Sequence, residues 1–65
     1  MNERQKRIMV QVQTQGSVTS GWCRKAFQVT YDTTHRDLTD LVKRGLLIQQ
    51  GQGRATHYAL NTGAS

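Results

Sequence analysis

The sequence predicts an α+β fold, three helices followed by a β-hairpin, and three observations predict it. Apolar residues recur at helical spacing in three successive stretches between Asn2 and Arg44. Each stretch opens on a residue that caps helices well, Asn2, Thr19 or Thr30, and Gly16 and Gly45 close the first and third. After Gly45 the apolar period falls from 3.6 toward 2, and two short runs flank the glycine-rich tip Gly51-Gln52-Gly53-Arg54.

The first stretch, Asn2 to Gln15, is built of strong helix formers (Glu3, Arg4, Gln5, Lys6, Arg7, Met9, Gln11, Gln13), with Ile8 and Val12 one turn apart. The alternation of Val10 and Val12 also permits a strand, but the length of the run and the Asn2 cap favour a helix. Ser17-Val18 is long enough only for a short extended piece. Thr19 then caps a second, short helix over Ser20 to Gln28, with Cys23, Ala26 and Phe27 on its apolar face and Arg24 and Lys25 off it. Thr30 caps a third helix, Tyr31 to Arg44. Its inward side carries Thr34, Leu38, Leu41 and Val42, while Tyr31, Asp32, His35, Arg36 and Thr39 lie largely on the other. The hairpin strands run from Leu46 to Gln50 and from Ala55 to Leu60, with Thr56, Tyr58 and Leu60 on one face of the second. Residues 1–60 form the domain, and the small, polar residues 61–65 are expected as a disordered tail.

Composition narrows the reading further. A chain of 65 residues makes one domain and buries only about 60% of its unfolded surface. A single cysteine closes no internal disulfide, so one compact core must hold the fold. Leu46-Leu47-Ile48, the longest apolar run, is far too short to cross a bilayer, and the charged start carries no apolar stretch behind it, so the cytoplasm is the expected address. Nine Lys and Arg against four Asp and Glu leave a net charge of +5, which favours a polyanionic partner such as nucleic acid.

Two helices joined by a tight turn, the second of them polar on its outer side, form a helix-turn-helix, and a hairpin directly behind it is a wing. The ordered run T-x-x-R-D-L-x-x-L-V-x-x-G-L-L, Thr33 to Leu47, followed by G-x-G-R-x-T-x-Y-x-L, Gly51 to Leu60, carries a resemblance, together with Asn2 to Arg7, Gly16 to Thr19 and Val29-Thr30. The chain resembles the winged helix-turn-helix module at the carboxyl end of bacterial Schlafen-like or Alba-like ATP-binding regulators and of certain Fic-type proteins, with a related module at the amino end of DeoR-like regulators. It departs from them at Tyr31-Asp32, where such modules often place an Arg or a second small residue, and at Gly21-Trp22, where good helix formers are usual. The resemblance implies a DNA-binding piece of a longer bacterial transcriptional regulator, with double-stranded DNA as partner.

A helix fits the major groove, and residues near its amino end reach base edges, so Tyr31, Thr33, His35 and Arg36 are the candidate readers. Arg36 suits guanine or phosphate, or a salt bridge one turn back to Asp32. At the hairpin tip Arg54 and Gln52 sit between glycines that let the backbone approach a phosphate or the minor groove. Thr19 and Ser20 offer hydroxyls and N–H groups to a phosphate, though helix capping explains them equally well. Lys43 and Arg44 complement the end of the third helix, and Asp37 and Asp40 are expected to pair with them or with basic residues of the first helix. Trp22 reads as a rim residue over the first helix or a contact to a partner; Cys23 reads as a small buried hydrophobe.

No cofactor, metal or small-molecule substrate is expected. His35 and His57 stand far apart without a third ligand, and Gly51-Gln52-Gly53 lacks the Lys-Ser/Thr and following helix of a nucleotide-binding loop. A fold this small is expected to hold no pocket of useful size, and so no catalysis of its own. The rival to DNA binding is a protein-interaction module that docks on a domain of the parent chain or on a second copy as a homodimer. Double-stranded RNA is a third partner to separate from these.

Overall fold

The structure, a computed structural model, describes residues 1–62. Helix α1 (Glu3–Gln15) starts on a capping box. The Asn2 side chain accepts the Gln5 N–H at 2.7 Å, and the Gln5 side chain accepts the Asn2 N–H at 3.0 Å. The helix ends on Gly16. Strand β1 (Ser17–Val18) follows, and Thr19 caps α2 (Ser20–Phe27) by accepting the Trp22 N–H at 3.0 Å. Helix α2 stops one residue earlier than expected because Gln28 turns left-handed (φ 53°). Thr30 accepts the Thr33 N–H at 3.3 Å and opens α3 (Tyr31–Lys43).

Helix α3 closes on a Schellman motif. The Leu46 N–H reaches the Leu41 carbonyl at 3.0 Å and the Gly45 N–H reaches Val42 at 2.9 Å, which requires the left-handed φ of 78° at Gly45. The chain then runs through β2 (Leu47–Gln50), a 3₁₀ turn (Gly53–Ala55) and β3 (His57–Leu60). Both strands are shorter than the alternation suggested: Leu46 is taken up in closing α3, and Ala55 and Thr56 bond back to Gln52 and Gly53 and fold the tip into the turn. The Ser17-Val18 piece, expected only as extended, is a true third strand. It pairs antiparallel with β3, Val18 opposite Tyr58, giving a sheet ordered β1-β3-β2. On the other edge β2 pairs with β3, Leu47 opposite Leu60 and Gln49 opposite Tyr58.

Every helix and strand contributes to one core: Ile8 and Val12 from α1, Val18, Cys23, Leu38 and Leu41, Leu47 and Tyr58. Thr34 is buried with them, as the α3 spacing predicts, while Val42 packs half-buried beside them. Ala26, expected on the apolar face of α2, is exposed; Phe27 and Trp22 fill that side, their rings edge to face with centroids 5.7 Å apart. Burial, and secondarily the nearby Asp37 carboxylate, pushes the Cys23 thiol up to about 11, so it stays protonated at neutral pH.

Asn61, expected with the tail, is anchored instead: its N–H donates to the Leu46 carbonyl at 3.0 Å and its side-chain amide to the Gly45 carbonyl at 3.1 Å. Thr62 is exposed and in no helix or strand, and the expectation for residues 63–65 lies outside the described residues.

Candidate nucleic-acid interface

The amino-terminal half of α3 presents its polar side to solvent. Tyr31 is 53% exposed and its ring stacks on that of His35 one turn later, centroids 5.7 Å apart and planes 16° from parallel. On its other side His35 Nε2 lies 3.4 Å from Thr39 Oγ1, so the imidazole is held between one turn before and one turn after. The hydroxyl of Thr33 accepts from Thr30 at 3.2 Å and is tied into the helix cap. Arg36 is exposed, and the salt bridge to Asp32 that its spacing allowed does not form.

The wing is braced at its tip. Gly51 has φ 80°, and a Cβ there would run into the backbone carbonyl of Ala55. The same carbonyl accepts a hydrogen bond at 2.8 Å from His57 Nδ1, while His57 Nε2 lies 3.2 Å from Gln50 Oε1. His57 thus fastens the turn to both strands, a role the sequence reading missed because it weighed this residue only as a metal ligand. Among the described residues no group of three His, Cys, Asp or Glu is placed to hold a metal ion.

Five of the eight sequence-selected residues converge. Thr19 and Ser20 at the start of α2, Tyr31 and His35 on α3, and Arg54 on the wing line one cleft of about 460 Å³. Its walls also include the apolar Leu38 and the phenol of Tyr58. Thr33, Arg36 and Gln52 lie outside it, Arg36 lining a shallower hollow of about 240 Å³ along α3 with His35 and Lys43. Against the expectation that so small a fold holds no pocket of useful size, the starts of two helices and the wing enclose this cleft between them.

Charge is sorted by pairing. Arg4 Nε donates to Asp37 Oδ2 at 2.7 Å across α1 and α3, and Arg44 Nε donates to Asp40 Oδ2 at 2.7 Å within α3 and its cap, as expected for the two acids. Hydrogen bonds from Gln5 and Arg44 hold the Asp40 carboxyl below its ordinary range, and Asp37 raises the Arg4 guanidinium. Among the described residues, Lys6, Arg7, Arg24, Lys25, Arg36, Lys43 and Arg54 have no carboxylate within ion-pair distance. The sequence reading passed over Arg24 and Lys25 as merely off the core face. Both are exposed and line a separate hollow with Gly21 and Val29, outside the cleft. No described helix is long and apolar enough to cross a membrane.

Solved structures share this architecture. The oxidized form of MarR from E. coli superposes with a TM-score of 0.77 and 21% identity, covering 97% of this chain and 46% of that one. The reduced form gives 0.77 and 20%, covering 97% and 48%, and the wild-type apo form gives 0.77 and 18%, covering 97% and 49%. The chain thus spans about half the length of the MarR chains it matches. No family model and no curated protein matches the sequence. What these neighbours establish is the fold, three helices and a three-stranded antiparallel sheet in the winged-helix arrangement.

Proposed function

We propose that the chain is a winged-helix DNA-binding domain of a bacterial transcriptional regulator, with α3 in the major groove and the wing on the backbone or minor groove. The observation that carries this reading is the placement of Arg36 and Arg54, two cations without carboxylate partners, on α3 and on the wing, in two neighbouring hollows that share His35. Tyr31, Thr33 and His35 accompany Arg36 at base edges; Thr19, Ser20 and Gln52 accompany Arg54 at phosphates. The sequence motifs favour a module attached to a longer cytoplasmic chain, in the manner of the Schlafen-like, Fic-type and DeoR-like regulators.

A titration of labelled protein with duplex DNA at low salt tests this. Shifts concentrated at Tyr31–Arg36 and Gly51–Arg54 are expected, with non-specific dissociation constants on the order of 10⁻⁴ to 10⁻⁶ M at physiological salt. No shift in either segment overturns the reading, and equal response to matched RNA and DNA duplexes removes the preference for DNA.

One observation favours a second reading, docking on a domain of the parent chain or on a second copy. Asp32, exposed in the first turn of α3 and unpaired among the described residues, would repel a phosphate there. Sedimentation together with titration of the separately expressed parent domain distinguishes the two.

A further inference from the structure

We propose that the cleft between α2, α3 and the wing is a nucleotide-unit site, taking a phosphate ester that carries a flat ring. This deepens the DNA-binding reading, on which it rests for one of its two sources. The nucleotide is either one residue of a bound strand or a free mononucleotide.

Four features of the cleft point to this ligand. Its wall carries Arg54 and His35 but no Asp or Glu, so it is built for an anion. The volume of about 460 Å³ falls among pockets that hold small organic ligands, roughly 300–1,000 Å³, and is far larger than a bare phosphate needs. Tyr31 and His35 stand stacked at its edge and offer a flat aromatic surface, the feature on which proteins seat unpaired bases.

The fourth feature is Tyr58. The residue is only 6% exposed, yet its hydroxyl makes no hydrogen bond to any described residue, and the side chain lines the cleft. The hydroxyl is not itself a buried orphan, since it meets the solvent of the cleft, so it stands free to donate to a ligand there. Burial first, then the neighbouring Tyr31 and Cys23, raises its pKa above the usual value near 10, so at neutral pH it carries its proton and donates. Thr19, Ser20 and Thr56 add further hydroxyls around it. The phosphate and ribose oxygens of a nucleotide would meet these donors, and Arg54 would supply the countercharge.

Gly21 gives a clean probe of the site. A Cβ there meets only Thr19 Oγ1, at 3.8 Å, and an acid in the first turn of α2 suits the helix dipole. Gly21→Asp therefore keeps the fold and places a carboxylate at the cleft mouth.

The test titrates the full chain with inorganic phosphate, with adenosine 5′-monophosphate and with a short duplex, reading amide shifts and melting temperature. The mononucleotide is expected to shift Gly21, Arg54 and Tyr58 more tightly than phosphate does. Tyr58→Phe should weaken it about tenfold, the loss of one hydrogen bond to a charged group, without lowering the melting temperature. Gly21→Asp should abolish it. If only the duplex shifts these residues, and does so in a Tyr58-dependent manner, the nucleotide belongs to the strand. If the duplex shifts Arg36 and leaves the cleft silent, and the mononucleotide also leaves it silent, the site is overturned while the DNA reading stands. If the mononucleotide fills the cleft and the duplex binds nowhere, the reverse holds. Unchanged titrations for Tyr58→Phe overturn the proposal in either case.

Discussion

The side-chain amide of Gln5 in α1 donates to the Asp40 carboxylate of α3 at 2.8 Å, and to the backbone carbonyl of Asp37 at 3.2 Å. The same side chain closes the Asn2 capping box through its oxygen, so one residue, 4% exposed, fixes where α1 begins and how it lies on α3. Gln5→Ala should cost about 2 kcal/mol, from a lost buried hydrogen bond and half of a capping box. Chemical denaturation measures it; a change within experimental error would show that the apolar core and the contacts to Asp37 hold α1 on α3 without Gln5.

Asp40 makes stability sensitive to acid. Gln5 and then Arg44 hold its carboxyl below the ordinary 3.8, so the charged form is favoured in the folded state more than in the unfolded one. The stabilisation is present above that ordinary value and is lost as pH falls through the lower folded value. Melting temperature should therefore drop more steeply below about pH 4 in the parent protein than in Asp40→Asn. Parallel curves for the two proteins down to about pH 2 would assign the acid sensitivity elsewhere.

Thr34 is 1% exposed and its hydroxyl, alone among the buried side-chain polar atoms of the described residues, has no hydrogen-bond partner. Valine has nearly the same shape and no polar atom to desolvate. Thr34→Val should raise stability by about 1 kcal/mol, with Thr34→Ser lowering it. Nothing in the structure explains why threonine stands there, and a destabilised valine variant would reveal a partner, such as an internal water.

The helices were legible because caps, glycines and apolar spacing agree at each of them: Asn2, Thr19 and Thr30 all accept the N–H that their position calls for. Pairing of Asp37 and Asp40 with cations followed from composition and spacing alone. Strand β1 was not legible, because two residues carry no alternation, and what makes them a strand is the free edge of β3 beside them. Gln5 and Tyr58 escaped for a related reason. One looks like a solvated helix former and the other like a simple core residue, and only tertiary structure gives the first its partners on α3 and puts the second on the wall of a cleft. The candidate site was legible as a set of residue types near two helix starts and a glycine-rich tip. The cleft between them was not, since its walls come from distant parts of the chain.

The geometry of the wing depends on Gly51. Any side chain there meets the Ala55 carbonyl that His57 already uses, and the left-handed backbone adds strain. Gly51→Ala should cost about 1–3 kcal/mol and should disturb the amides of Ala55 and His57 far more than those of α1. Since the core lies elsewhere, the helices should remain folded. Spectra in which α1 and the wing respond alike would mean that the tip and the core unfold as one unit.

Arg36 and Arg54 should separate when binding is followed across salt. Arg54, on a tip flanked by glycine, should contribute one released counterion if it meets a phosphate as proposed: Arg54→Ala should lower the slope of log K against log salt by about 1 and weaken all duplexes alike. Arg36, exposed on α3 beside His35, should act at a base edge, so Arg36→Ala costs about 1–3 kcal/mol on the preferred sequence and little on others. Both variants measured on one preferred and one unrelated duplex give the comparison. Uniform losses for both would place Arg36 on phosphate and leave the base-reading to Tyr31, Thr33 and His35.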